Sequence, residues 1–229
     1  MATLPRKAEP DARTTGLLYL GLALAGAAGF LVTRPMLYAA GDPAATLANL
    51  TDHLALARLG IVFELLVVLT QALAAVWFYK LFRATDPLNA AGIAAFGLVN
   101  AVAILASAAL LGAAPDVALE PFGDAASSVQ LMYLVSGHLW TVGGIFFGLW
   151  LIPMGRCVLR DGPRVLGWLL IAGGAGYVLS SFAAYLAPAV GDILAVPASI
   201  GEFWMIGWLL LRGFRGAPVV HPKLVSSSA

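Results

Sequence analysis

Glu64, His138 and Glu202 are ionisable residues inside otherwise apolar stretches of this chain. Each stands about ten residues from the same end of its own stretch, which in a helix is a depth of roughly 13–15 Å, near mid-membrane. An ionisable group in hydrocarbon costs several kcal/mol unless it is paired or hydrated, so each marks a site by default. Two carboxyls and an imidazole can pass a proton among themselves, hold a cation, or ligate a metal. Asn100 and Tyr177 supply polar groups at similar depth from two further stretches. Arg58 is the expected counter-charge for Glu64 or Glu202. Six residues separate it from Glu64, about 120° around one helix, so the pairing would be interhelical.

Spacing argues that these groups face inward. Gln71 follows Glu64 by seven, Thr141 follows His138 by three with Gly148 continuing the stripe, Ser181 follows Tyr177 by four, and Ser199 precedes Glu202 by three. Such pairs share a helix face. A structural alternative stands beside each: a protonated carboxyl bonded to a neighbour, a neutral imidazole partner, or amides that hold helices together. No HxxxH or HxxE pair is present, His53 falls at the surface and His221 in the tail, so haem held by two histidines is not expected. A metal site, if present, would take His138, Glu64 and Glu202 as its ligands. The cofactor is left open. No phosphate loop, dinucleotide fingerprint or nucleophile elbow occurs in a fitting context.

The elements that must position these groups are membrane spans. The 229 residues are 61% hydrophobic and 11% charged, with mean hydropathy +0.90, against roughly 25% charged in soluble domains. The fold class expected is all-α: a six-helix transmembrane bundle over residues 16–213, with spans near 16–33, 55–78, 88–114, 129–154, 165–187 and 193–211, between tails 1–15 and 214–229. Eleven of the thirteen basic residues fall in the N-terminal tail, the loops at 80–83 and 156–164, and the C-terminal end from Arg212 onward, all on one side. Only Arg34 and Arg58 fall toward the acidic side. Both termini are therefore expected in the cytoplasm. The N-terminus is not expected to be a signal peptide. Net charge of +1 gives no basic field for nucleic acid. The expected partners are the lipid bilayer and a small ligand or cation. Asp42-Pro43 predicts the start of a short outer helix, and Pro115 to Ser128 predicts a turn-rich loop. Gly144 with Gly148, and Gly173-Gly174-Ala175-Gly176, read as close helix contacts within the bundle.

The segments GHLWTVGGIFFGLWLIPMG, GPRVLGWLLIAGGAGYVLSSF and PASIGEFWMIGWLLLRGFRG resemble the bacterial membrane family "domain of unknown function 4386". RTTGLLYLGLALAG, GDPAATLANL and ARLGIVFELL resemble its opening pattern, so the likeness runs from about Arg13 to Gly216. The positions that match include Arg58, His138, Pro163, Arg164, Gly167, Tyr177 and Glu202; Glu64 stands where the family more often has Asp. The resemblance implies a six-helix integral membrane fold and carries no activity. Inner-membrane location and a mid-membrane pocket for a small ligand or ion, used in transport, sensing or partner regulation, are the resulting expectation. The alternatives are an intramembrane enzyme acting on a lipid or quinone-like substrate, with Glu202 or Glu64 as base and His138 as acid or metal ligand, and a structural accessory subunit.

Overall fold

A computed structural model describes residues 10–187, 194 and 196–215. Every element among them is helical. Helix α1 (Pro10–Gly26) runs through a π-helical stretch, Ala27–Thr33, into the short α2 (Arg34–Leu37) without a break in the rod. The outer helix α3 (Pro43–Asp52) follows, then α4 (Leu54–Phe82), α5 (Pro87–Leu119), α6 (Ala125–Asp161), α7 (Arg164–Leu186) and α8 (Val196–Arg215). Five helices are long and apolar enough to cross a membrane: Asp11–Leu37, α4, α5, α6 and α7. The chain is thus membrane-embedded by length and composition. Each long helix packs on its sequence neighbour, and α8 packs on both α7 and α1, which closes a ring. The tails at 1–9 and 216–229 and the start of the last expected span lie outside the described residues, while helix already begins at Pro10 within the first expected tail.

Local chemistry sets the ends. Asp42, Asp86 and Asp124 are N-caps, each accepting a hydrogen bond from the backbone N–H three residues on. Asp42-Pro43 does open the short outer helix, after a turn in which Gly41 takes φ +76°. The loop expected from Pro115 is shorter than read: α5 continues to Leu119. Ala114 and Val117 bury in a cluster with Leu37, Leu50, Val129 and Tyr133, and that packing outweighs the one backbone bond a proline removes.

Asp86 carries the first prediction. Its carboxyl accepts from Asn89 N at 3.1 Å and Asn89 Nδ2 at 2.7 Å, and Arg160 lies at 3.1 Å. The Asn89 bonds foremost, and Arg160 after them, hold it below the usual carboxylate range. Its stabilisation is therefore complete above the ordinary Asp range and is lost as pH falls through the lowered value. Asp86→Ala is expected to cost about 1 kcal/mol at neutral pH. Denaturant titrations at neutral and strongly acidic pH should show the deficit shrinking on acidification.

Two cores bracket the middle of the bundle. One, toward the acidic loops, holds Leu50, Val129 and Tyr133. The other is built on Trp150, which meets Tyr19 at 5.1 Å and Phe78 at 5.6 Å edge-on. Between them, along α6, lie Ser136, Trp140, Thr141, Gly144 and Phe147. Beyond this stretch α6 and α7 meet backbone to backbone. A Cβ on Gly174 would come within 2.6 Å of the Gly148 carbonyl oxygen, and one on Gly167 within 2.9 Å of the Gly155 oxygen. Gly148 and Gly155 are seven apart on one helix, Gly167 and Gly174 seven apart on its antiparallel neighbour. Two turns of each helix thus register the pair; the close contact expected at Gly148 and Gly174 is present, and Gly155 with Gly167 extends it.

Candidate functional site

The polar layer divides into two parts. The first is an ion pair at the end of the first rod. Arg34 Nη2 lies 3.0 Å from Glu64 Oε1, with both side chains buried. The same nitrogen donates to Ser136 Oγ at 2.6 Å, and Nη1 donates to the Tyr133 carbonyl at 3.3 Å. Ser107 Oγ donates to Glu64 Oε2 at 2.7 Å and lies 2.6 Å from Ser136 Oγ. The protons then have one consistent arrangement: Arg34 to Ser136, Ser136 to Ser107, Ser107 to Glu64, and Arg34 to Glu64 directly. Trp140 Nε1 adds a third donor to the carboxylate at 3.1 Å. Four elements meet in this closed ring. A buried charge pair is tolerated where its remaining hydrogen-bonding positions are met, as this carboxylate's are.

The π-helical stretch brings Arg34 to that position. Arg34 N–H bonds the Gly29 carbonyl five residues back, and Thr33 Oγ1 bonds the same oxygen at 2.7 Å. A π turn carries more residues per turn than an α turn, so it shifts the register of all that follows. Phe30, inside the stretch, lies under the Arg34 guanidinium at 5.1 Å and against Trp140 at 4.9 Å.

The second part is a cavity of about 690 Å³, and Phe30 and Trp140 form its wall toward the ion pair. Glu202 of α8, Tyr19 of α1, Gln71 of α4, Asn100 of α5 and Tyr177 of α7 also line it. Tyr19 and Gln71 are fully buried. Tyr19 and Glu202 stand close to one another across the cavity, but Tyr19 Oη, Glu202 Oε1 and both amide atoms of Gln71 complete no well-formed hydrogen bond among the described residues. Buried polar atoms are nearly always partnered, by protein or by ordered water, and these four face one void. The rim carries Leu31 and Phe203, which are 69% and 66% exposed. The opening is therefore apolar.

Three expectations need correction. The counter-charge of Glu64 is Arg34, not Arg58; Arg58 is exposed and forms no ion pair among the described residues. From sequence Arg34 reads as a flanking charge on the acidic side because the apolar run ends beside it, and no spacing rule reports a π turn. His138 does not face the interior: it is exposed, with Nδ1 3.1 Å from Tyr185 Oη and its ring stacked on Tyr185. Two residues beyond Ser136 is about 200° around a helix, the opposite face. Finally, Glu64, His138 and Glu202 are not brought together, and no group of three or more His, Cys, Asp or Glu side chains converges among the described residues. Asn100, Tyr177 and Glu202 do share one cavity, joined by Gln71, Thr141, Ser181 and Ser199 from the same face readings. Ser107, Ser136 and Trp140 were missed; the available signal was that an inward Glu64 requires donors from the facing helices.

The model of the family described as "Domain of unknown function (DUF4386)" matches residues 14–213. Neither a curated protein nor a solved structure matches the chain. The match spans all the long helices and both parts of the polar layer, and the chain belongs to that family.

Proposed function

We propose that this member of the DUF4386 family is a six-span protein of the bacterial inner membrane whose interior cavity binds a small amphipathic ligand, in transport or sensing. The observation that carries the reading is the set of unpartnered polar atoms of Tyr19, Gln71 and Glu202 around a void of about 690 Å³. That volume falls in the range of small-molecule sites. The apolar rim at Leu31 and Phe203 favours a guest that arrives through lipid and presents polar groups inward.

The sixth span rests on α8, whose 20 residues reach about 30 Å and whose sides are covered by α1 and α7. Orientation rests on the basic residues. With Arg34 engaged inside the bundle, Arg58 alone remains as a basic residue on the acidic side, which sharpens the case for cytoplasmic termini. The register-fixing role expected of the polar layer falls to the Arg34–Glu64 ring, whose carboxylate is fully bonded. Enzymatic use of His138 loses its support, since the imidazole lies outside the cavity.

Native mass spectrometry of the wild-type protein beside Ala23→Phe tests this. Ala23 lines the cavity, so the larger ring occupies it from inside. A bound mass is expected in wild type and in His138→Ala, and is expected to be lost in Ala23→Phe. An equal mass in the filled variant, or no mass in any, counts against the reading.

A further inference from the structure

The chemical class of the guest follows from what the cavity offers it. Among the described residues, Glu202 is the only Asp, Glu, Lys, Arg or His in the lining. It forms no ion pair among the described residues, and its Oε1 is buried without a hydrogen-bond partner. The nearby guanidinium of Arg34 is taken up by Glu64, Ser136 and the Tyr133 carbonyl. The next cation along α8 is Arg212, ten residues or about 15 Å away, and it lies over Trp208 at 5.2 Å. A carboxyl in apolar surroundings stays neutral unless an opposite charge comes beside it; no described residue of the lining supplies one, so the ionised form of Glu202 calls for a cationic guest.

The rest of the wall suits the same charge. Tyr19, Phe30, Trp140, Phe147, Tyr177 and Phe203 contribute six aromatic rings to the lining. Tyr177 and Phe147 meet edge-to-face at 5.0 Å, which sets two ring planes at right angles on one wall. Aromatic faces attract organic cations, and a carboxylate among several rings is a recurrent way of holding an alkylammonium group. The hydroxyl and amide groups of Tyr19 and Gln71 offer hydrogen bonds to a further polar substituent. The exposed apolar rim admits a guest with a hydrophobic body.

Resting on the reading of the cavity as a ligand site, we infer that its guest is a lipophilic organic cation, an amine or quaternary ammonium compound, with Glu202 as counter-ion and the aromatic lining as its cage. Anionic lipids and fatty acids are disfavoured by the same carboxylate.

The test uses full-length protein in nanodiscs of zwitterionic phosphatidylcholine. Two probes of one shape are compared: benzyltrimethylammonium and its uncharged carbon isostere, 2,2-dimethylpropylbenzene. Binding is read from tryptophan fluorescence, with partitioning subtracted using empty nanodiscs. The cation is expected to bind wild type about tenfold or more tightly than the isostere. Glu202→Gln is expected to abolish most of that preference while still binding the isostere, which shows that the variant is folded and its cavity intact. Equal binding of both probes to wild type, with both lost in Ala23→Phe, overturns the cation assignment and leaves the ligand cavity standing. A preference that survives Glu202→Gln also overturns it. Binding of neither probe to wild type overturns the assignment and the cavity reading together.

Discussion

Arg34→Met is expected to destabilise the protein by about 3–5 kcal/mol, because it leaves the Glu64 carboxylate buried without its counter-charge. Glu64→Gln alone should cost less but still substantially, since it strands the guanidinium against Phe30 and Ser136. The double variant Arg34→Met/Glu64→Gln should recover most of the loss. An amide at position 64 can accept from Trp140 Nε1 through its oxygen and donate to Ser107 Oγ through its nitrogen, and Ser107 can then donate to Ser136 Oγ. The measurement is a double-mutant cycle on reversible unfolding in mixed micelles. Additive losses would show that the two charges do not meet. The sign is set by asymmetry: breaking one half of a buried pair is costly, whereas removing both halves is often near neutral.

Gly148→Ala is the second large effect. Its Cβ would be driven into the backbone oxygen of Gly174, with Val178 Cγ2 at 2.9 Å as well. A side chain can turn away from an added methyl; a helix backbone cannot without moving the helix. Helix association in lipid relies on close packing rather than on exclusion of water, so small residues at the crossing carry much of the contact. A loss of about 3 kcal/mol is expected, at the upper end of overpacking costs. Gly112→Ala is the internal control: nothing lies within 4 Å of its added Cβ, and it should be neutral or slightly stabilising. Thermal unfolding of both variants beside wild type checks the pair. Equal behaviour would contradict the α6–α7 register given by Gly148–Gly174 and Gly155–Gly167.

These two cases mark where the sequence was legible. The apolar stretches, the Asp-Pro start of the outer helix and the glycine faces depend on local periodicity and capping, and they are found where those rules place them. The inward face of α4 is equally readable: Glu64 and Gln71 are buried seven apart; on α5 Asn100 is read inward, while Ser107, seven residues on and also buried, is not. Facing direction failed for His138, because a single polar residue in a span does not report which side of its helix meets the bundle. Depth alone had suggested that His138 joins Glu64 and Glu202. The partner of Glu64 failed for a different reason. Arg34 follows the apolar run and reads as a flanking charge, and only the π-helical stretch before it turns the side chain back onto Glu64 and Ser136. The cavity depends on six helices closing into a ring, α8 against α1, which is a long-range outcome with no local signature.

The central claim is that the void bounded by Gln71, Tyr19 and Glu202 is a ligand site. A high-resolution cryo-electron microscopy map of the protein purified in native lipid nanodiscs, with a bound fiducial fragment to provide mass, tests it most directly. Non-protein density is expected in the cavity, within hydrogen-bond distance of the Gln71 amide or the Tyr19 hydroxyl and in contact with the Glu202 carboxyl. A collapsed cavity in which those three groups bond only to one another or to neighbouring helices would contradict it.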